Sequence, residues 1–137
     1  MKKRLLGIDY GEVRIGIAVT DPLGIFAYPL VTLSNDKNLF VELKKIISEY
    51  DVEKIILGFP VKENNEKTKL TEKIEKFKNK LEQEFQILVE FIDERYSSAI
   101  ASERILQSVK SKKKRRNKGL IDQNAAAVFL QDFLDSK

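Results

Sequence analysis

The sequence predicts an α/β fold built on a five-stranded mixed sheet, with three antiparallel N-terminal strands, two parallel ones, and flanking helices. Three observations predict it. Residues 4–10 and 14–20 are β-branched, apolar runs separated by a short turn. The hydrophobic period then lengthens to three or four residues. From there, short apolar runs alternate with helical ones, the pattern of parallel strands joined by right-handed crossovers.

The first two runs, joined by Gly11-Glu12-Val13, read as a hairpin. Asp21-Pro22 signals a turn, and residues 24–32 supply a third strand. Leu39, Phe40, Leu43, Ile46 and Ile47 share a helical face, with Asn35 or Asp36 placed to cap it. Lys54 to Gly58 is a short buried strand ending in Gly58-Phe59-Pro60. Residues 62–69 are polar enough to form a loop. Leu70, Ile74, Phe77 and Leu81 mark a second helix, whose other face (Glu72, Lys73, Glu75, Lys76, Lys78) reads as solvated. The apolar run Ile87 to Ile92 is a strand expected to lie parallel beside the first, ending at Asp93-Glu94-Arg95. Ser97 or Ser98 can cap a helix carrying Ala101, Ile105 and Val109. A basic loop follows, and a helix from about Ile121 to Leu134 closes the order. With no repeat and no linker, residues 1–137 are expected to form one domain.

Composition narrows the chemistry. There is no Cys and no His, which removes disulfides, thiolate zinc sites, cysteine nucleophiles and the commonest general base. Catalysis would fall to carboxylates, Lys, Tyr, Ser or Thr, or to a hard cation held by oxygen. No stretch is long and apolar enough for a signal peptide or a membrane span, so the expected compartment is the cytoplasm. The net charge of +4 is local. Residues 110–118 hold seven basic residues and no acid, and the remainder carries 18 basic against 21 acidic residues. Such a patch reads as a nucleic-acid contact, carried by Lys112, Lys113, Lys114, Arg115, Arg116 and Lys118, or as a solubilising loop.

Three acidic positions interrupt apolar patterns. Asp9 is set into the first strand, Asp93-Glu94 end another, and Asp122 falls on the stripe Asp122, Ala125, Ala126, Phe129, Phe133. A buried carboxylate has to be paired, hydrogen-bonded, protonated or bound to a cation. Asp9 reads either as a metal ligand, with Gly11 letting a phosphate approach the backbone, or as a structural Asp satisfying hairpin amides. Whether Asp93 or Glu94 points inward depends on register. Asp122 is either an N-cap or, if its helix starts at Ile121 or earlier, an acid projecting toward the sheet.

The blocks Gly7-Ile8-Asp9-Tyr10-Gly11-x-x-Arg14-Ile15-Gly16-x-Ala18, Gly58-x-Pro60, Asp93-Glu94-Arg95-x-Ser97-Ser98-x-x-Ala101 and Lys118-Gly119-x-Ile121-Asp122-x-x-Ala125-Ala126 resemble the YqgF (RuvX) family. They occur in that family's order and nearly span the chain. The resemblance implies a single RNase H-like nuclease domain, similar to the RuvC resolvases. It implies a metal-dependent nuclease acting on the 5′ end of pre-16S rRNA, or alternatively on Holliday junctions. It also implies that Asp9, Glu94 and Asp122 form a metal-binding catalytic triad; such carboxylates suit Mg²⁺ or Mn²⁺, expected as two ions, and Arg14, Arg95 and Lys118, which lie in the same motifs, are placed to meet phosphate oxygens. Two departures stand out: Val61 to Lys67 contains no glycine where the family usually has one, and Ser97-Ser98 replace a frequent Thr-Thr.

Two other classes compete. Sugar-kinase or actin-type ATPases also open on an Asp-x-Gly hairpin, but they close two such domains over a nucleotide. A non-catalytic nucleic-acid-binding assembly factor would use the basic run alone and leave the acids without a purpose. Because the helix faces look solvated, a monomer acting on precursor RNA is expected over a junction-cutting dimer.

Overall fold

The computed structural model describes residues 3–60, 68–93 and 118–136, with the side chains of 118–121 left out. The expected helix after Ser97-Ser98, the basic run up to residue 117 and the loop at 61–67 lie outside these residues.

Five strands form one sheet: β1 (Arg4–Asp9), β2 (Arg14–Thr20), β3 (Ala27–Ser34), β4 (Val52–Phe59) and β5 (Leu88–Asp93). Among the described residues the helices are α1 (Leu39–Glu49), α2 (Lys69–Phe85) and α3 (Lys118–Asp135). The spatial order is β3-β2-β1-β4-β5. β1 pairs antiparallel with β2 and parallel with β4, so the strand bearing Asp9 is central. As predicted, the sheet is mixed, with an antiparallel meander followed by parallel strands.

β5 does not lie beside β1, contrary to the sequence expectation. It pairs with β4, which separates the two. The reason is burial: Ile55, Ile56 and Leu57 are fully buried on both faces of β4, as an interior strand requires, whereas Leu88 and Phe91 of β5 are exposed at an edge. β3 starts at Ala27 rather than residue 24, because residues 21–26 are taken up by a turn. There the Asp21 carboxylate accepts the amides of Ile25 (2.7 Å) and Phe26 (2.9 Å).

Helix starts also differ from expectation. Asn38 holds the N-cap position of α1 without a side-chain cap bond, and Asp36 Oδ1 accepts the Asn38 amide at 2.9 Å. α2 begins inside the stretch expected to be loop, because Thr68 and Thr71 form a reciprocal capping box. Thr71 N donates to Thr68 Oγ1 (3.2 Å) and Thr68 N to Thr71 Oγ1 (2.8 Å). α3 begins at Lys118, so Asp122 lies in its second turn and is not an N-cap.

Strand alternation divides the interior in two. Leu6, Ile8, Ile15, Ile17, Ile55 and Leu57 pack with residues of α1 and α2 such as Leu43, Ile74 and Leu81. On the other face, Ala18 and Ile56 pack with Ala126, Ala127, Phe129 and Leu130 of α3. α3 comes closest to the sheet where the strand residues are glycines. A Cβ at Gly7 would lie 3.0 Å from Leu130 Cβ and 3.1 Å from the Ala126 carbonyl. At Gly16 a Cβ would overlap the backbone carbonyl of Asp122.

Candidate active site

Asp9 is the last residue of β1, half-buried, on the same strand face as Leu5 and Gly7, which meet α3. Its cross-strand partner is Gly16. Because nothing projects from Gly16, the second turn of α3 settles directly over that position and brings Asp122 to the end of β1. Residues separated by most of the chain thereby share one cleft of about 310 Å³, lined by Asp9, Tyr10, Gly11, Glu12, Val13, Arg14 and Asp122.

Arg14 opens β2 on the same face as Gly16. Its Nε donates to Asp122 Oδ2 at 3.0 Å. The Arg14 and Asp122 side chains are 40% and 25% exposed, so this is a solvent-touched ion pair at the cleft rim. It uses one carboxylate oxygen of Asp122 and sets a guanidinium beside the two acids.

The β1–β2 loop has its own supports. A Cβ at Gly11 would overlap the Arg14 carbonyl, so the tightness of the turn itself requires glycine there. Asn35, whose spacing suggested a helix cap, instead clamps this loop. Its Nδ2 donates to the Gly11 carbonyl (2.9 Å) and its backbone N–H to the Val13 carbonyl (2.9 Å). Nothing in the local sequence pattern marked that contact, which spans 24 positions.

Register separates the two acids at the end of β5. Val89 packs with the α1–α2 layer, and Lys78 of α2 lies over the Phe91 ring at 5.7 Å. Asp93, two residues further on, shares that face and is exposed. Glu90 and Ile92 take the opposite face: Glu90 pairs with Lys54, whose Nζ lies over Phe133 of α3, and Ile92 packs on the α3 layer. Asp93 therefore points away from the side of the sheet that carries Asp9 and Asp122. Glu94, Arg95, Lys112, Lys113, Lys114, Arg115 and Arg116 lie outside the described residues, as does the side chain of Lys118.

Asp9 and Asp122 offer the oxygen donors that hard divalent cations take. Among the described residues no group of three or more acids forms a metal cluster. No helix is long and apolar enough to cross a membrane among those residues.

A mixed sheet in the order 3-2-1-4-5, with an aspartate ending its central strand and a second aspartate brought over it by the last helix, is an RNase H-like fold of the kind seen in RuvC. The structure of T. thermophilus RuvC in complex with a Holliday junction substrate superposes on it with a TM-score of 0.58 at 14% identity, covering 98% of this chain and 94% of that one. The chain belongs to the RuvX family, described as Holliday junction resolvase, which it matches over residues 3–136. Relatives carrying the name "Putative pre-16S rRNA nuclease" include one from Phocaeicola vulgatus, 42% identical over 98% of this chain and 96% of its own length. Another, from Mycoplasma mobile, is 39% identical over 97% and 92%. The expected fold class and family therefore both hold.

Proposed function

We propose that this chain is a divalent-metal-dependent nuclease of the cytoplasm, a single RNase H-like domain that hydrolyses phosphodiester bonds during 5′-end processing of pre-16S rRNA. The observation that carries this reading is the meeting of Asp9 and Asp122 in one cleft, made possible by Gly16. Two carboxylates at one strand end suit Mg²⁺ or Mn²⁺, and Glu94 is the third ligand in this reading. In its support, Asp93 shares the α2 face of β5, away from the side that carries Asp9 and Asp122.

Asp9 and Asp122 would hold such ions, which when bound would supply the activation of a water and the neutralisation of charge on the leaving oxygen. Arg14, already beside Asp122, donates to a phosphate oxygen and orients the scissile group. Arg95, Lys118 and the basic run from Lys112 to Arg116 add phosphate contacts that position the strand without chemistry. Gly11 keeps the loop low enough for the backbone to approach.

The names that the relatives carry favour precursor rRNA as the substrate. Resolution of Holliday junctions is the second reading, favoured by the description of the family. It calls for two symmetric cuts and hence a two-fold dimer. We favour a monomer because the outer face of α2 is densely charged, although some large apolar residues are exposed elsewhere. Leu23, Ile25, Phe26 and Tyr28, all at least half exposed around the β2–β3 turn, form the apolar patch that the second reading would use.

Incubation of the purified chain with a pre-16S 5′ fragment and with a synthetic four-way junction tests the reading. Cleavage of the RNA with Mg²⁺ or Mn²⁺, lost in EDTA and in a folded Asp9→Asn variant, is the expected result. Paired nicking of the junction with RNA left intact would establish the second reading. Binding without cleavage of either would establish a non-catalytic assembly factor.

A further inference from the structure

The end of β1 is a wall between two cavities. Asp9 faces the acidic cleft, and Tyr10, the next residue, turns its ring to the α1–α2 side. There it lines a larger cavity of about 490 Å³. Tyr10 and Glu12 border both spaces, so they are contiguous at the rim.

This second cavity combines two chemistries. Its apolar part is aromatic: Tyr10 and Phe77 lie 5.0 Å apart between ring centroids, and Phe40 and Phe77 5.9 Å apart. Its rim is cationic, with Lys37 from the segment before α1 and Lys73, Lys76 and Lys80 from successive turns of α2. Glu12 and Asp36 are the acids that face these four lysines. Lys73 pairs with Glu12 at 3.4 Å, and Lys80 Nζ sits 4.5 Å over the Phe40 ring. Among the described residues, Lys37 and Lys76 have no carboxylate within ion-pair distance. The charged face of α2, which the sequence presents as merely solvated, thus lines a concavity over three of its turns.

Lysines in excess of acids around an aromatic floor match the requirements of a single-stranded nucleic acid. Phosphates meet the ammonium groups and a base meets the rings, independently of sequence. A volume of this size admits one nucleotide.

We propose that this cavity is a substrate-strand site for a single-stranded flank of the RNA. It would hold one nucleotide close to the bond at the acidic cleft, with the base beside Tyr10 and over Phe40 in place of the Lys80 ammonium, and the backbone along Lys37, Lys76 and the displaced Lys80. The proposal rests on the nuclease reading above and names where its substrate continues. It also assigns a direction: the strand passes from the Asp9 side of β1 over Tyr10 onto α2.

Two measurements test it. The first is binding of a labelled twelve-nucleotide RNA in EDTA over a range of salt, for the native chain and for Lys76→Ser/Lys80→Ser. Both lysines are exposed, so the fold is retained. Each phosphate contact on a single strand contributes about −0.7 to the log–log salt slope, so the double variant should flatten it by about 1.4 and weaken binding roughly tenfold or more. The second uses the absence of Trp from the chain. In a Phe40→Trp variant the single indole should be quenched by the RNA and not by inorganic polyphosphate. An unchanged slope in the folded lysine variant, or equal response of the indole to both polyanions, overturns the site. If that occurs while the native chain still cleaves RNA, the site alone falls. A native chain that neither binds nor cleaves RNA overturns the nuclease reading and the site together.

Discussion

The backbone carbonyl of Asp122 occupies the place a side chain at Gly16 would need. Gly16 is also the residue paired across the hairpin with Asp9. One missing Cβ thus joins the two acids: it is the seat for the helix that carries the second and the register partner of the strand that carries the first. Gly16→Ala should lift α3 from β2 at a cost of about 1–3 kcal/mol and abolish cleavage. Gly24→Ala is the matched control. Gly24 has φ +70° and open space around it, so the change costs about 1–2 kcal/mol in backbone strain alone. Denaturant titration and cleavage assays on both should show comparable destabilisation, with activity lost in the first only.

Asp122→Asn keeps the shape of the side chain while removing its charge. In the proposed metal site it should weaken Mn²⁺ binding, read by calorimetry, and reduce RNA cleavage to background. Stability should change little, because the ion pair with Arg14 is partly exposed. Native-like Mn²⁺ affinity in this variant would remove Asp122 from the ligand set.

Arg14→Gln separates folding from function. A solvent-touched pair such as Arg14–Asp122 is worth at most about 1 kcal/mol. A lost charge-assisted contact to a phosphate oxygen is worth about 1.5–3 kcal/mol, or roughly ten- to a hundredfold in kcat/KM. The expected outcome is a near-native unfolding midpoint with that loss of activity. An unchanged kcat/KM would make Arg14 purely structural.

Acid should loosen the β2–β3 turn before the sheet. The amide of Phe26, and with it those of Ile25 and Leu23, holds the Asp21 carboxyl below its ordinary value, against a smaller opposing effect of desolvation. A depressed folded value means that the stabilisation is present above the ordinary carboxylate pKa and is lost as pH falls through the folded one. Amide exchange of Ile25 and Phe26, followed by NMR down to that range, should accelerate ahead of residues in β1. In Asp21→Asn, this pH dependence should disappear.

How much of this was legible beforehand varied with the range of the interaction. The β1–β2 hairpin follows from two β-branched runs and a glycine turn, all within a few residues of each other. The 3–4 spacing from Asp122 to Phe133 gave Ala126, Phe129 and Phe133 on the face of α3 that meets the sheet, while Ala127 and Leu130 also pack there and Ala125 packs with Val128 instead. Strand neighbours were harder, since the runs at 54–58 and 87–92 look alike, and only burial shows that Ile55 to Leu57 are covered on both faces. The start of α2 was missed because its capping box uses Thr71 where Glu or Gln is usual. Asn35 was missed because its partner loop is remote in sequence, and the lysine cavity because it needs two helices and the end of β1 to exist at all.

The division of the interior sets two tolerances for change. Leucines, isoleucines and phenylalanines fill the side that seals α1 and α2, whereas alanines make up much of the side that seats α3. At Gly7 and Gly16 the backbone of the sheet lies within a side chain's breadth of α3, so this seat depends on closeness and has no slack for added atoms. Sequence drift that keeps the bulk of the α1–α2 side would leave the acids in place, while one added methyl group under α3 would move Asp122 and leave Asp9 where it is.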